Sequence, residues 1–279
     1  MALINQLLNL IGLVLWLSWR SASVPLQAKG AGTLLSNLKP ADTRRTRRWI
    51  FPLCLVALIA LRPLLYAPLA RLLDWTPVLS TGPVALAFRA DIPERLFAFS
   101  FLSFAWSLLV FQTALMLLAL LGQREDGTAG LTAWFRELAG RASRWPMPVI
   151  LGFPVLLLAG CWFGIVFLLA FIGVLPPPPA AGIISMQALL IGLSIWLPMR
   201  WLLAGLLLLR FINDYVYLGE HRLWDYVRIA GRRLTRPLQW LPARIGKLDL
   251  VPLLAAAAVL GLAWVSESAL LRAQTMVSR

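Results

Sequence analysis

One histidine, two cysteines and twelve acidic residues among 279 positions leave little material for polar chemistry. The lone histidine, His221, excludes a bis-histidine haem site or a multi-histidine metal centre within one chain. Cys54 and Cys161 each lie inside an apolar run, where a cysteine serves by default as a small buried hydrophobe, so redox compartment cannot be read from them. No glycine-rich nucleotide-binding pattern follows a strand-like segment, and no strands are expected. No nucleophile with its base, carboxylate pair or metal cluster is assembled along the chain, so neither an enzyme nor a cofactor is expected. Carboxylates also avoid the apolar runs: Asp74, Glu94, Asp214, Asp249 and Glu267 fall at or beyond their ends, which argues against coupling to protons or Na⁺.

Charge as a whole is scarce. Only 14% of residues are charged and 60% are hydrophobic, against roughly 25% and 45–50% in an average soluble domain. A water-soluble fold cannot absorb that excess. Apolar runs cover residues 3–19, 50–73, 96–121, 148–174, 183–209 and 250–265, near the ~20 residues a helix needs to cross the hydrocarbon layer. They lack the alternation of barrel strands, so the expected fold is all-α: a polytopic membrane protein of about six transmembrane helices, with five as the alternative count. The first run has no Lys or Arg before it and is read as a span, not as a cleavable signal. In the second, Arg62-Pro63 leaves open a bend or half-span.

A net charge of +14 would suggest nucleic acid in a soluble protein, but its placement points elsewhere. Residues 20–48, 122–146 and 210–249 hold seven, four and eight of the 26 Lys and Arg. The loop at 74–95 has only Arg89 and Arg95, and the proline-rich connector at 175–182 has none. Positive-inside then puts the three basic loops in the cytoplasm of a multi-pass cytoplasmic-membrane protein, with both termini outside. The expected organisation is three helical hairpins, at 1–73, 96–174 and 183–279, joined by the outer loop 74–95 and the connector 175–182.

Each hairpin re-enters the membrane through Trp and Pro: RRWIFP at 47–52, SRWPMP at 143–148 and QWLPARIGKLDLVP at 239–252. Trp49, Trp145 and Trp240 are expected interfacial anchors, and the repetition suggests an internal repeat. In the third loop Leu223, Val227, Ala230, Leu234, Leu238 and Leu241 recur at helical spacing, with Arg222, Asp225, Arg228, Arg232, Arg233 and Arg236 largely opposite. This predicts an amphipathic helix lying on anionic headgroups. Leu131, Trp134, Phe135, Leu138, Ala142 and Trp145 repeat the pattern in the second loop.

Beyond that helix each special residue has a backbone task. Pro237 and Pro242 stop the helix, Gly246 suits a turn, Asp249 is placed to cap the last span, and Pro252 falls in its first turn. This stretch resembles the YGGT family, whose signature runs approximately R-P-I-R-R-x-x-P-x-x-G-G-x-D-x-S-P. Pro237, Gly246, Asp249 and Pro252 keep its register and Pro242 is displaced by one, whereas Gln239 and Trp240 replace the arginine pair, Lys247 the second glycine and Val251 the serine. The close match covers residues 210–265, and a third pair of spans would extend the family's usual two. The resemblance implies a non-catalytic membrane protein that organises or assembles membrane components, in envelope organisation, division or osmotic tolerance in bacteria, or cytochrome b6 complex assembly in plastids. Other membrane proteins would then be its partners.

Two other readings stand beside it: a channel or carrier for a small solute, anions included, and a lipid-binding accessory subunit. Arg62 and Arg200, inside apolar runs, could line an anion path, with snorkelling to headgroups as the plainer account. Gly152, Gly160 and Gly164, and Ala257 with Gly261, form small-residue steps suited to helix packing, within the fold or between subunits.

The orientation is directly testable. In a chain lacking Cys54 and Cys161, single cysteines within 20–48, 122–146 or 210–249 should be shielded from impermeant thiol reagents in intact cells, and labels at both termini should react. Cytoplasmic termini would overturn the charge argument.

Overall fold

The computed structural model describes residues 2–23, 49–73, 75–82, 84–122, 129–140, 145–173, 181–216, 222–240, 243–245 and 248–277. The chain divides into two compact units, one of Met1–Pro77 with Arg89–Ser107, the other of Val78–Phe88 with Leu108–Arg279. Among the described residues, six helical segments are long and apolar enough to cross a membrane: Leu3–Ser21, Ile50–Ala70, Pro93–Leu121, Met147–Phe171, Gly182–Tyr215 and Val251–Met276. The protein is a multi-pass, largely helical membrane protein.

In the first unit α1 (Ala2–Ser23) packs along α2 (Ile50–Leu73), and α3 (Pro93–Leu121) adds its first half. Despite Pro63 and Pro68, α2 is continuous, so the bend considered at Arg62-Pro63 does not form a break. Its cause is visible in the hydrogen bonds. Pro63 has no N–H for the carbonyl four residues back, and the Ser100 hydroxyl of α3 donates to that carbonyl, Ile59 O, at 2.9 Å.

The second unit opens with a small antiparallel ribbon, β1 (Val78–Ser80) against β2 (Ala85–Ala87), pairing Leu79 with Leu86. A second ribbon joins β3 (Arg244–Ile245) to β4 (Leu248–Asp249). No strands were expected; these ribbons are too short to show a period of two in the sequence. The helices are α4 (Ala129–Ala139), α5 (Met147–Phe171), α6 (Ala181–Ser194), α7 (Met199–Tyr215), α8 (Arg222–Thr235) and α9 (Val251–Val277), with a 3₁₀ turn at Arg236–Leu238.

Two differences from the expected spans matter. The fifth is not one helix: between α6 and α7, Ile195, Trp196, Leu197, Met199, Arg200 and Trp201 each donate to the carbonyl three residues back, at 3.0–3.4 Å. Pro198 supplies the reason, since it cannot donate to Ser194 O, which Leu197 N–H takes instead at 3.0 Å. The last span continues well past residue 265, to Val277.

Pairing also departs from three hairpins at one place. α1 packs on α2 and α7 on α9, but α5 takes α6 as its main partner, across the connector and not across the second basic loop. α5 presents Ile150, Pro154, Leu158, Trp162, Val166 and Leu169 as its buried line. Gly152, Gly160 and Gly164 lie off that line, and a side chain at any of them would meet nothing within 4 Å. The same holds for Gly261, and Ala257 is exposed, whereas Ala255 and Ala256 pack with Ala204 and Leu207. Among the described residues the expected glycine steps therefore meet no neighbouring helix. The close approach is at Gly192 of α6, where a Cβ would lie 2.6 Å from Val155 O. Cys54 and Cys161 are likewise exposed, not buried, because each lies on a helix face that the described residues leave uncovered.

Replacing Gly192 with Leu should lower thermal stability in detergent by the equivalent of about 1–3 kcal/mol, because a backbone carbonyl cannot move aside as a side-chain tip can. Gly160→Leu and Gly164→Leu should leave the melting temperature nearly unchanged. Equal losses at all three positions would contradict the packing described.

Candidate functional site

Polar residues inside the spans converge at two places, one in each unit. In the first, α1 offers Asn5 and Asn9, α2 offers Arg62 and Tyr66, and α3 offers Ser103. The first two pairs are spaced by four residues, so each shares a helix face. Arg62 is fully buried, 0% exposed. Its Nη1 donates to Asn9 Oδ1 at 2.6 Å and its Nη2 to Leu8 O. Asn5 and Asn9 each donate to Ser103 Oγ at 3.0 Å, and the Tyr66 hydroxyl donates to Asn5 Oδ1 at 3.0 Å. Phe104 lies over the guanidinium, 5.8 Å from ring centroid to Cζ. It can do so because Gly12 has no side chain: a Cβ there would lie 2.6 Å from Phe104 Cε2.

Fully buried, Arg62 does not reach out along the helix surface, so snorkelling does not describe this one of the two arginines. Its cation is held by neutral oxygens and a ring face, partners the sequence reading had not singled out. The signal was present, since Asn5/Asn9, Arg62/Tyr66 and Ser100/Ser103/Ser107 are polar residues at helical spacing inside apolar runs. Among the described residues Arg62 Nε is buried without a hydrogen-bond partner.

In the second unit Arg200, at the start of α7, pairs with Glu267 of α9 at 2.5 Å. The two side chains are 24% and 34% exposed, and Trp201 stands 5.4 Å from the guanidinium carbon. Glu267 is sixteen residues into α9, or ~24 Å along the helix at 1.5 Å per residue. It falls inside Val251–Met276, the stretch of α9 long and apolar enough to cross a membrane. The expectation that no carboxylate enters a span is therefore corrected. It rested on ending the last span at 265.

The basic-loop helices form the third feature. α8 has the expected amphipathic pattern, but most of its apolar face is already covered: Tyr226, Val227 and Ala230 pack with Leu117 and Leu121 of α3 and Leu206 of α7, whereas Leu223 at its start is exposed. The α4 residue Phe135 meets Tyr226 edge-on at 5.2 Å. Polar side chains gather at the end of α3, where helical donors run out; Leu118 O already takes the Gly122 N–H at 3.1 Å and gains a second donor. The Tyr226 hydroxyl donates to Leu118 O at 2.7 Å, Arg233 Nη1 to Leu120 O at 3.0 Å and Thr132 Oγ1 to Gly122 O at 3.3 Å. Burial pushes the Tyr226 phenol above its usual range, against the opposing charge of Arg233, so it remains a donor. At α7, Arg210 holds Asp214 at 3.6 Å and donates to Thr235 Oγ1.

Arg233, half-exposed, places one guanidinium nitrogen at the negative end of a helix dipole. Arg228, Arg232 and Arg236 are exposed and follow one another at intervals of four. The side chain of Arg222 lies outside the described residues, as do Pro242 and Gly246. Pro237 falls in the 3₁₀ turn that ends α8. Asp249 Oδ1 accepts the Val251 N–H at 3.1 Å, its own N–H reaches the Tyr215 hydroxyl, and Pro252 occupies the first turn of α9. Trp49, Trp145 and Trp240 are exposed at or near helix ends. Among the described residues no three His, Cys, Asp or Glu come together in a manner that could hold a metal ion.

No family model matches the chain, and no curated protein or solved structure matches it.

The Arg62 cluster makes a prediction in which the sign of a double substitution decides. Asn9→Leu leaves a buried cation short of an acceptor and should cost about 1–3 kcal/mol or more in detergent unfolding. Adding Arg62→Met should restore part of that loss by removing the charge. A double variant less stable than Asn9→Leu alone would show that Arg62 is not held mainly by Asn9.

Proposed function

We propose that the chain is a non-catalytic integral membrane protein of the YGGT type that organises or assembles other components of the cytoplasmic membrane. Both termini lie outside on this reading, and the basic loops lie in the cytoplasm. One observation carries it: the two intramembrane arginines are engaged by the chain's own groups, Arg62 by Asn9 and Leu8, Arg200 by Glu267. A solute path would need those cations open to the solute. As internal ties they instead hold helices together, which suits a scaffold.

The exposed stripe Arg228, Arg232 and Arg236 then has a separate task, contact with anionic headgroups on the cytoplasmic side. Basic residues near such a surface contribute on the order of 1 kcal/mol each. Because Tyr226, Val227 and Ala230 of the apolar face of α8 are covered by protein, this contact is mainly electrostatic and does not require the helix to insert. Partner membrane proteins would meet the apolar faces that the spans leave exposed.

The chain purified in mild detergent should retain anionic lipid and a defined membrane protein at fixed stoichiometry. Arg228→Gln, Arg232→Gln and Arg236→Gln together should reduce lipid retention without affecting insertion. Reconstituted alone, the chain should pass chloride and phosphate no faster than lipid-only vesicles. A flux above that background, abolished by Arg62→Gln or Arg200→Gln, would replace the scaffold reading with a carrier.

A further inference from the structure

The break in the fifth span poses a problem that the rest of that span does not. α6 has 14 residues and α7 has 17, lengths of ~21 and ~25 Å. Each is shorter than the ~30 Å hydrocarbon layer. If the two together make one span, the irregular backbone at 195–198 falls inside that layer. Non-helical backbone is tolerated there only where protein covers it.

The β1–β2 ribbon provides the cover. Its turn is closed by Thr81, whose N–H and hydroxyl both donate to Val84 O, at 2.9 and 3.2 Å. Gly82 follows with φ +85°, a conformation that favours glycine. A side chain at Gly82 would begin 3.1 Å from Leu197 Cδ1 and 3.5 Å from Ser194 Cβ. The tip of the ribbon therefore rests on the break itself. Thr81, Ser194, Ile195 and Leu197 are all buried, and the Ser194 hydroxyl turns back to Ile191 O at 2.6 Å. Leu79 and Phe88 are buried on either side of the tip and anchor it.

We propose that the ribbon, residues 78–82 with 84–88, is a plug that seals the break between α6 and α7 against water, and that lifting it exposes the polar backbone around Ser194. The plug is a property of the second unit alone. It holds whether the chain is a scaffold or a carrier. A loop of no further consequence would not need a left-handed glycine against a proline-broken helix, since a loop in solvent satisfies its own backbone with water.

The test uses the full chain in native membranes open on both sides, lacking Cys54 and Cys161 and carrying Ser194→Cys. A small water-soluble maleimide should label that thiol slowly. Adding Leu79→Asp and Phe88→Asp, which charge the anchors, should accelerate labelling by at least about tenfold, because reaction of a buried thiol tracks local opening. Ala188→Cys, buried in α6 away from the break, should stay slow in both backgrounds. Equal rates at Ser194→Cys with and without the Asp pair would overturn the plug, and so would equal acceleration at Ala188→Cys. A second measurement needs no loosened variant. Gly82→Cys with Ser194→Cys should form a disulfide on mild oxidation, because the 3.5 Å separation lies at the short end of the ~3.5–4.5 Å that a disulfide spans between Cβ atoms. Failure to cross-link would place the tip elsewhere and defeat the proposal.

Discussion

Inside a hydrocarbon layer a polar group without a partner has no water to turn to, and each such group costs several kcal/mol. Much of this protein's architecture answers that constraint, and prolines show where it presses hardest. Pro63 deprives Ile59 O of its donor, and a serine on the neighbouring helix supplies one, so α2 runs on unbroken. Pro198 does the same to Ser194 O, but there the chain tightens into three-residue bonding and breaks the helix. The difference lies in the donor that takes the carbonyl: the Ser100 hydroxyl of a neighbouring helix in one case, and in the other the backbone N–H of Leu197, one residue before the proline.

The arginines obey the same constraint with higher stakes, because an unpaired charge costs more than an unpaired amide. Arg62 and Arg200 solve it differently. Arg62 is enclosed by neutral acceptors and an aromatic face, with no carboxylate at it among the described residues. Arg200 is partly exposed and takes a carboxylate from another helix. Both arrangements tie together elements distant in sequence, and such ties contribute to helix association where the hydrophobic effect between spans is absent.

The basic loops extend the accounting to helix ends. α3 finishes with carbonyls that α8 and α4 satisfy through Tyr226, Arg233 and Thr132. An amphipathic helix that might have lain on lipid is instead a cap on its neighbour. Gly122 and Gly231 permit this: a Cβ at Gly122 would lie 2.5 Å from Thr132 Oγ1, and one at Gly231 2.3 Å from Arg210 Cδ. Arg228, Arg232 and Arg236 remain exposed on α8 and the turn that follows it.

Composition and the lengths of the apolar runs by themselves determined that the chain is helical and crosses a membrane about six times, because bilayer thickness and backbone hydrogen bonding admit few alternatives. Local chemistry was equally legible where it acts over two to four residues, as at Asp249 ahead of Pro252. Tertiary structure alone decided what covers each face. Periodicity reports that Tyr226, Val227 and Ala230 share an apolar side, but lipid tails and protein side chains are equally apolar, so the pattern cannot distinguish them. It decided also that Gly192 and not Gly160 is the point of close approach, and that Arg62 turns inward to Asn9, 53 residues away. Which helix lies opposite a given residue depends on contacts between segments far apart in sequence, and spacing within one segment does not encode them.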